Sequence, residues 1–419
     1  MMLAFLLQQQ QTTQQEIEKA MQKDVAAQQP EQSQPAQPGQ PPAVPPSPLP
    51  GNAPDILQAA PTQLGVQRPG ATLLNPALSV ILDADFGYYG YHRSDFDAAG
   101  LPLSGDDPGQ DGFSMQEVEL AFQSAIDPYL EGALFLTIPN LTGLEVEEGY
   151  LITSSLPWNL QVKVGSFRSQ VGRNNTQHLH LQNFTRRPLL TPLLLGADGL
   201  RAPGAQISLL LPLPWFATFF GEVLFVGAPD DRMRVASFGG GGRSDPENLT
   251  YTAVLEQYWD LAESTSLLLG LNFATGHAFE CPVAPCAPAR RDYLYGGDVY
   301  LKWKPPNVAQ TYASLQWTTE YFVRTIADGG PTEGALYTEP VLQFARRWWL
   351  GARFDVTGLP DDVNVPRRYG VAGSLTFTPS EFSRIRGYLQ EIAGPNVPSS
   401  TVLFVQTEVS MGAHGAHPF

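Results

Sequence analysis

In the segment FSMQEVELAFQSAI, residues 113–126, apolar and polar positions alternate with a period of two. Val118, Leu120, Phe122 and Ile126 fall on one face, and Glu117, Glu119, Ala121 and Gln123 on the other. Successive side chains of a β-strand point to opposite faces, so this period predicts a strand with one apolar and one polar side. The pattern starts at LSVILDADFGYY (78–89) and returns in YLEGALFLTIP (129–139), EVEEGYLITS (145–154) and NLQVKVGSF (159–167). Beyond residue 204 it continues through AQISLLLP, WFATFFGEVLFVG, LTYTAVLEQYWDL and STSLLLGLNFAT, and on to STVLFVQTEVSM. About sixteen strands are predicted, an even number, as expected of a single-chain barrel whose closure leaves no unpaired edge.

The connections alternate between long and short. YHRSDFDAAGLPLSGDDPGQDG and GHAFECPVAPCAPARR are long, whereas Asp127-Pro128, LPLP and Ala262-Glu263 are turns. Short turns at one end and long loops at the other mark a transmembrane barrel, with the long loops outside. The fold class expected is therefore all-β, a closed antiparallel transmembrane barrel spanning 75–419, with the C-terminus periplasmic.

One stretch breaks the rhythm. From Lys163 to Gly204 the strand period lapses, and a polar run, Arg173 to His180, is followed by Arg186 and Arg187. An insertion of this length without strand period is usually functional or disordered. It falls in the third long connection and is expected to fold into the lumen. Arg168, Arg173, Asn174, Asn175, Arg186 and Arg187 are the expected pore constriction, since rings of Arg select anions. Strand alternation, however, also points Lys163, Lys302, Arg353, Arg384 and Arg386 inward against Glu117, Glu119, Glu147, Glu222, Glu256, Asp298, Glu320, Glu339 and Glu408. A mixed lumen leaves the sign of selectivity open.

Composition sharpens this picture. Charged residues are 16% of the 419 and aromatics 11%, against a usual charged share of about a quarter. No apolar run reaches the length of a membrane helix. A soluble all-β protein alternates too, and is the competing reading. Tyr88, Tyr89, Trp158, Trp215, Trp259, Trp303, Trp348 and Trp349 sit at strand ends, where a membrane barrel carries aromatic girdles. A net charge of −16 argues against nucleic acid as a partner. No Gly-x-Ser-x-Gly elbow or phosphate loop is present, so no enzymatic activity is expected. Residues 1–74 form a Gln- and Pro-rich tail, expected to be disordered and periplasmic. It opens on MMLAFLLQQQ, readable as the remnant of a secretory signal, and it either tethers the barrel to an envelope partner or has none.

Two small clusters carry candidate chemistry. Cys281 and Cys286, in ECPVAPCAP, read as a disulfide, with two free thiols as the alternative. Of six histidines, four form close pairs, His178/His180 and His414/His417. On a strand, residues two apart share a face, so both imidazoles of His-Leu-His could meet one ion, zinc among the candidates. The alternative is that the four pin loop and tail to the barrel wall. No other cofactor is expected.

Strand-paired segments such as EVEEGYLITSSLPWNLQVKVGSFRSQVGR resemble the porin-like Gram-negative outer-membrane barrels related to the phosphate-selective porin family. GRNNTQHLHLQNFTRRPLL and the ending SMGAHGAHPF are similar to a narrower group of barrels labelled zinc-regulated outer-membrane receptors. The resemblance covers residue 75 to the end. It implies an integral outer-membrane protein in contact with lipid, passing small polar or ionic solutes by passive or gated diffusion filtered at 168–204. Alternatives are a structural barrel of an envelope complex and a barrel for zinc uptake, and a homo-oligomer is compatible with each reading. The sequence departs from these relatives in two ways: no plug-sized domain is visible ahead of the barrel, and the arginine ladder of a phosphate channel is thin.

Overall fold

The computed structural model describes residues 76–91, 107–154, 156–226, 235–236, 249–280, 290–306, 312–361, 365–395, 397 and 400–412. The strands in chain order are β1 (Ala77–Tyr89), β2 (Gly112–Ala125), β3 (Leu130–Thr137), β4 (Glu145–Thr153), β5 (Leu160–Arg168), β6 (Arg201–Leu210), β7 (Phe216–Leu224), the two-residue β8 (Val235–Ala236), β9 (Thr250–Ala262), β10 (Thr265–Glu280), β11 (Arg290–Trp303), β12 (Ser314–Ile326), β13 (Thr332–Ala345), β14 (Trp348–Leu359), β15 (Arg368–Ser380), β16 (Ser383–Ala393) and β17 (Ser400–Gly412). Neighbours pair antiparallel throughout, β7 with β9 and β1 with both β2 and β17, so sixteen strands close on themselves. The short β8 pairs with the outer end of β10. Every strand expected from the two-residue period is present.

The period explains the wall. Along β17, Val402, Phe404, Gln406, Glu408 and Ser410 are buried while Leu403, Val405, Val409 and Met411 stand exposed on the outside. An exposed apolar exterior over a polar interior inverts a soluble protein and suits a barrel whose outer solvent is lipid. A charge at the middle of that outer face meets hydrocarbon. Val405→Arg is expected to weaken the inserted barrel by about 2–4 kcal/mol, measured by equilibrium refolding into phospholipid vesicles.

Turns at one end are tight for local reasons. Asp127 Oδ1 accepts the backbone N–H groups of Tyr129 (2.7 Å) and Leu130 (2.8 Å), an Asx-type turn that reverses the chain between β2 and β3. At the other end lies the connection between β5 and β6. It passes through 3₁₀ geometry at Leu179–Leu181 and a π turn at Thr191–Leu195, and most of its residues are buried. This is the long loop expected to fold inward, and it does.

Two of the β-bulges in the wall bear on the site. On β2, Glu117 pairs with Asp83 and Met115 with Ala84, leaving Gln116 unopposed. On β4, Glu148 pairs with Phe135 and Val146 with Leu136, leaving Glu147 unopposed. A bulge turns two successive side chains to one face. Gln116 and Glu117 are accordingly both buried, and so are Glu147 and Glu148.

Candidate functional site

The plug loop leaves and re-enters the wall at adjacent points. Arg168 of β5 lies opposite Arg201 of β6, and the Ser169 N–H donates to Leu200 O at 2.9 Å. Asn175 ties this neck: its Nδ2 donates to Ser169 O (2.8 Å) and Leu200 O (3.1 Å), and its Oδ1 accepts the Leu200 N–H (2.7 Å). Gly199 makes room for it. Its φ of +85° favours glycine, and a Cβ there would stand 2.2 Å from Asn175 Oδ1. Asn175→Ala orphans the buried Leu200 N–H and is expected to loosen the neck by about 1–3 kcal/mol. Faster amide exchange at Leu200, with the strand ladders unchanged, checks it.

Within the barrel the loop meets the wall on many sides. The Gln170 N–H donates to Glu222 Oε1 of β7 (2.9 Å) and Gln170 Nε2 to Glu256 Oε1 of β9 (2.8 Å). The Gly172 N–H donates to Asn272 Oδ1 of β10 (2.9 Å), the Asn174 N–H to Glu320 Oε1 of β12 (2.6 Å) and the Leu189 N–H to Asp355 Oδ1 of β14 (3.0 Å). Loop carbonyls are met by wall donors: Arg353 Nη1 reaches Arg186 O (2.8 Å), Arg386 Nη1 reaches Gln182 O (2.9 Å), Arg384 reaches His180 O and Gln116 Nε2 reaches Thr185 O (3.0 Å). A buried backbone group left unpaired is costly. Many charges of the lumen are therefore partners for the backbone of an irregular loop. Apolar packing adds to them: Phe167, Val171, Leu190, Leu194 and Leu195 cluster with Phe220, Leu224, Leu294 and Phe322 of the wall.

The arginines expected at the constriction are in the lumen, each held. Arg168 pairs with Glu147 and Arg186 with Asp107, while Arg186 Nη2 donates to Tyr91 Oη (3.1 Å). Burial alone would lower the Arg186 pKa, but Asp107 and the surrounding tyrosines hold it well above its ordinary value. Arg173 stacks over the Tyr300 ring at 3.8 Å, and Arg187 Nη1 reaches Gln177 O at 3.4 Å. Asn174 Oδ1 accepts from Thr191 Oγ1 at 3.0 Å. Tyr89, placed by sequence in an outer girdle, faces inward and its hydroxyl donates to Asp107.

His178 caps the 3₁₀ turn and His180 lies within it, at the point where Arg384 and Arg386 grip the loop. They do not share a strand face, yet both turn toward Glu119. His178 Nδ1 lies 3.0 Å from Glu119 Oε2 and 3.1 Å from Glu147 Oε2, and His180 Nδ1 lies 3.2 Å from Glu119 Oε2. His178 Nε2 lies 2.8 Å from Glu148 Oε1. Burial would lower the His178 pKa, but the Glu147 and Glu119 carboxylates outweigh it and hold the imidazole well above its ordinary value. Alternation put Glu117, Glu119 and Glu147 on the lumen side. Glu148 was missed because strict alternation sends it to lipid, and only the bulge on β4 brings it inside. Two adjacent glutamates in a strand of a membrane barrel were the available signal. His414, His417, Cys281, Cys286 and the tail of residues 1–74 lie outside the described residues.

The fold and its filled lumen define a closed sixteen-strand barrel of the outer-membrane type with its third outer loop folded inward. Similar solved structures share that architecture. One is a loop-deletion form of OmpT, an outer membrane protein of Vibrio cholerae, with TM-score 0.52 and 9% identity over 80% of this chain and 99% of that one. The outer membrane channel DcaP of Acinetobacter baumannii has TM-score 0.51 and 10% identity over 80% and 97%. Pseudomonas putida OprB has TM-score 0.51 and 11% identity over 80% and 94%. No family model matches the chain. By sequence it is 31% identical over 395 residues to an uncharacterized protein of Aquifex aeolicus, covering 82% of this chain and 80% of that one. The chain belongs to the same family as that protein.

Proposed function

We propose that this barrel is a gated outer-membrane channel for small polar or ionic solutes, closed in the described conformation by its third outer loop. The observation that carries the reading is the loop's position, packed within the lumen and bonded to β2, β7, β9, β10, β12, β14 and β16. A sixteen-strand barrel otherwise leaves an aqueous channel. The hydrogen bonds to the wall are polar and charge-assisted, so water can replace them when the loop shifts, while the apolar cluster around Leu190, Leu194 and Leu195 holds the loop inside at rest. The gate belongs to the loop, whose arginines are held by acids, a carbonyl and the Tyr300 ring.

Planar-bilayer recording of the purified protein tests the reading. Rare openings from a closed baseline are expected, with longer openings when the loop anchors are cut. A silent bilayer both with and without the loop would replace the channel by a structural envelope barrel. OmpT has been solved in a trimer form, and self-association is part of the same proposal, read by sedimentation in detergent.

A further inference from the structure

We propose that Glu119, Glu147, His178 and His180 bind a divalent transition-metal ion that clamps the tip of the plug loop to β2 and β4. Three observations converge on it.

The first is the donor geometry. Nδ1 of both histidines approaches Glu119 Oε2, at 3.0 and 3.2 Å, and Glu147 Oε2 lies 3.1 Å from His178 Nδ1. Ligand atoms of Glu119, Glu147 and His178 all lie within 4.8 Å of one another, and those of Glu117, Glu119 and His180 form a second such set; Glu119 is the shared ligand, and His180 closes onto the first set when the ion binds. Ligands about 2.0–2.2 Å from a tetrahedral zinc stand roughly 3.3 Å apart.

The second is the outer shell. The other nitrogen of His178 meets Glu148 Oε1 at 2.8 Å, the carboxylate–histidine–metal arrangement that fixes a ligand's tautomer and ring orientation. Glu148 Oε2 is itself held by the Arg168 N–H at 2.9 Å. The Arg168 guanidinium takes Glu147 Oε1 and leaves Oε2 directed at His178. Both carboxylates are thus oriented by one residue at the root of the loop.

The third is charge. Glu117, Glu119, Glu147 and Glu148 are all at most 4% exposed. Against them stand Arg168 and Lys163, whose Nζ lies over the Tyr150 ring at 4.7 Å. Carboxylates gathered away from water favour a cation among them. Imidazole and carboxylate together suit zinc among the first-row metals. The loop supplies two ligands and the wall two, so an ion here joins the gate to its frame.

The test is calorimetric titration of zinc into the metal-stripped full-length barrel in detergent, with cobalt(II) as the spectroscopic probe. One zinc per chain and a tetrahedral cobalt absorption are expected. His178→Ala and His180→Ala should each abolish the cobalt band, and Glu148→Gln, as an outer-shell change, should weaken zinc about 10–100-fold. The double His414→Ala/His417→Ala variant should bind as the parent does. Glu119→Gln, nearly isosteric, keeps the test decisive if a histidine variant does not fold. Absence of saturable binding, or binding that survives loss of His178 and His180, overturns the proposal. The readout is binding and not conductance, so its failure is separate from failure of the channel reading.

Discussion

Excising residues 170–199 and joining Ser169 to Leu200 through a short turn is expected to turn a closed barrel into a constitutively open one. The cut is feasible because β5 and β6 are already paired up to Arg168 and Arg201, and the Ser169 N–H already bonds Leu200 O. What is lost is the plug together with its backbone's claims on the wall. Glu222, Glu320, Asp355, Arg353, Arg384 and Arg386 would then face water in place of the loop. Single-channel recording should show steady large steps of an aqueous sixteen-strand pore where the parent shows a mostly closed baseline. Equal conductance in parent and deletion would mean that the loop does not close the lumen.

Arg353→Met should release one side of the same loop. Arg353 Nε donates to Asp355 Oδ2 at 3.1 Å, Nη1 to Arg186 O at 2.8 Å, and the guanidinium lies over the Phe184 ring at 4.9 Å. Removing one partner of a buried ion pair strands the other charge and costs about 3–5 kcal/mol. That cost should fall on loop docking, because Asp355 also accepts the Leu189 N–H. Amides of 184–190 should exchange faster while the strand ladder holds, and the channel should open more often. Arg353→Met/Asp355→Asn removes the stranded charge and should restore part of the loss. If the double variant is as damaged as the two single losses summed, the ion pair is not the origin of the effect.

The barrel was legible in the chain because each strand is read one residue at a time. Lipid outside and a polar lumen inside impose a period of two, and Val118/Glu119 on β2 or Phe404/Val405 on β17 carry it without knowledge of any neighbour. The position of the plug loop was legible for the same reason, as the place where that period lapses. Its bonds were not. Asn175 looked like one polar residue in a polar run, and its place across the neck depends on Ser169 and Leu200 meeting in space. The arginines read as a cation ring along the chain, yet Glu147 stands against Arg168 and Asp107 against Arg186. The histidine pair was singled out on strand geometry, yet it converges through a 3₁₀ turn on carboxylates about 30 and 60 positions earlier in the chain.

The sequence alone thus determined the wall, its closure and the identity of the segment inside, because alternation and loop length are local properties of a chain crossing a lipid layer. Tertiary structure decided what that segment does in the lumen. A bulge shifts facing by one residue and marks the pattern only through the adjacent pair Glu147-Glu148, and this put Glu148 beside His178 instead of in lipid. Likewise, whether a buried charge stands free for a solute or serves the backbone of a loop depends on partners far away in the chain, and here the loop holds many of them.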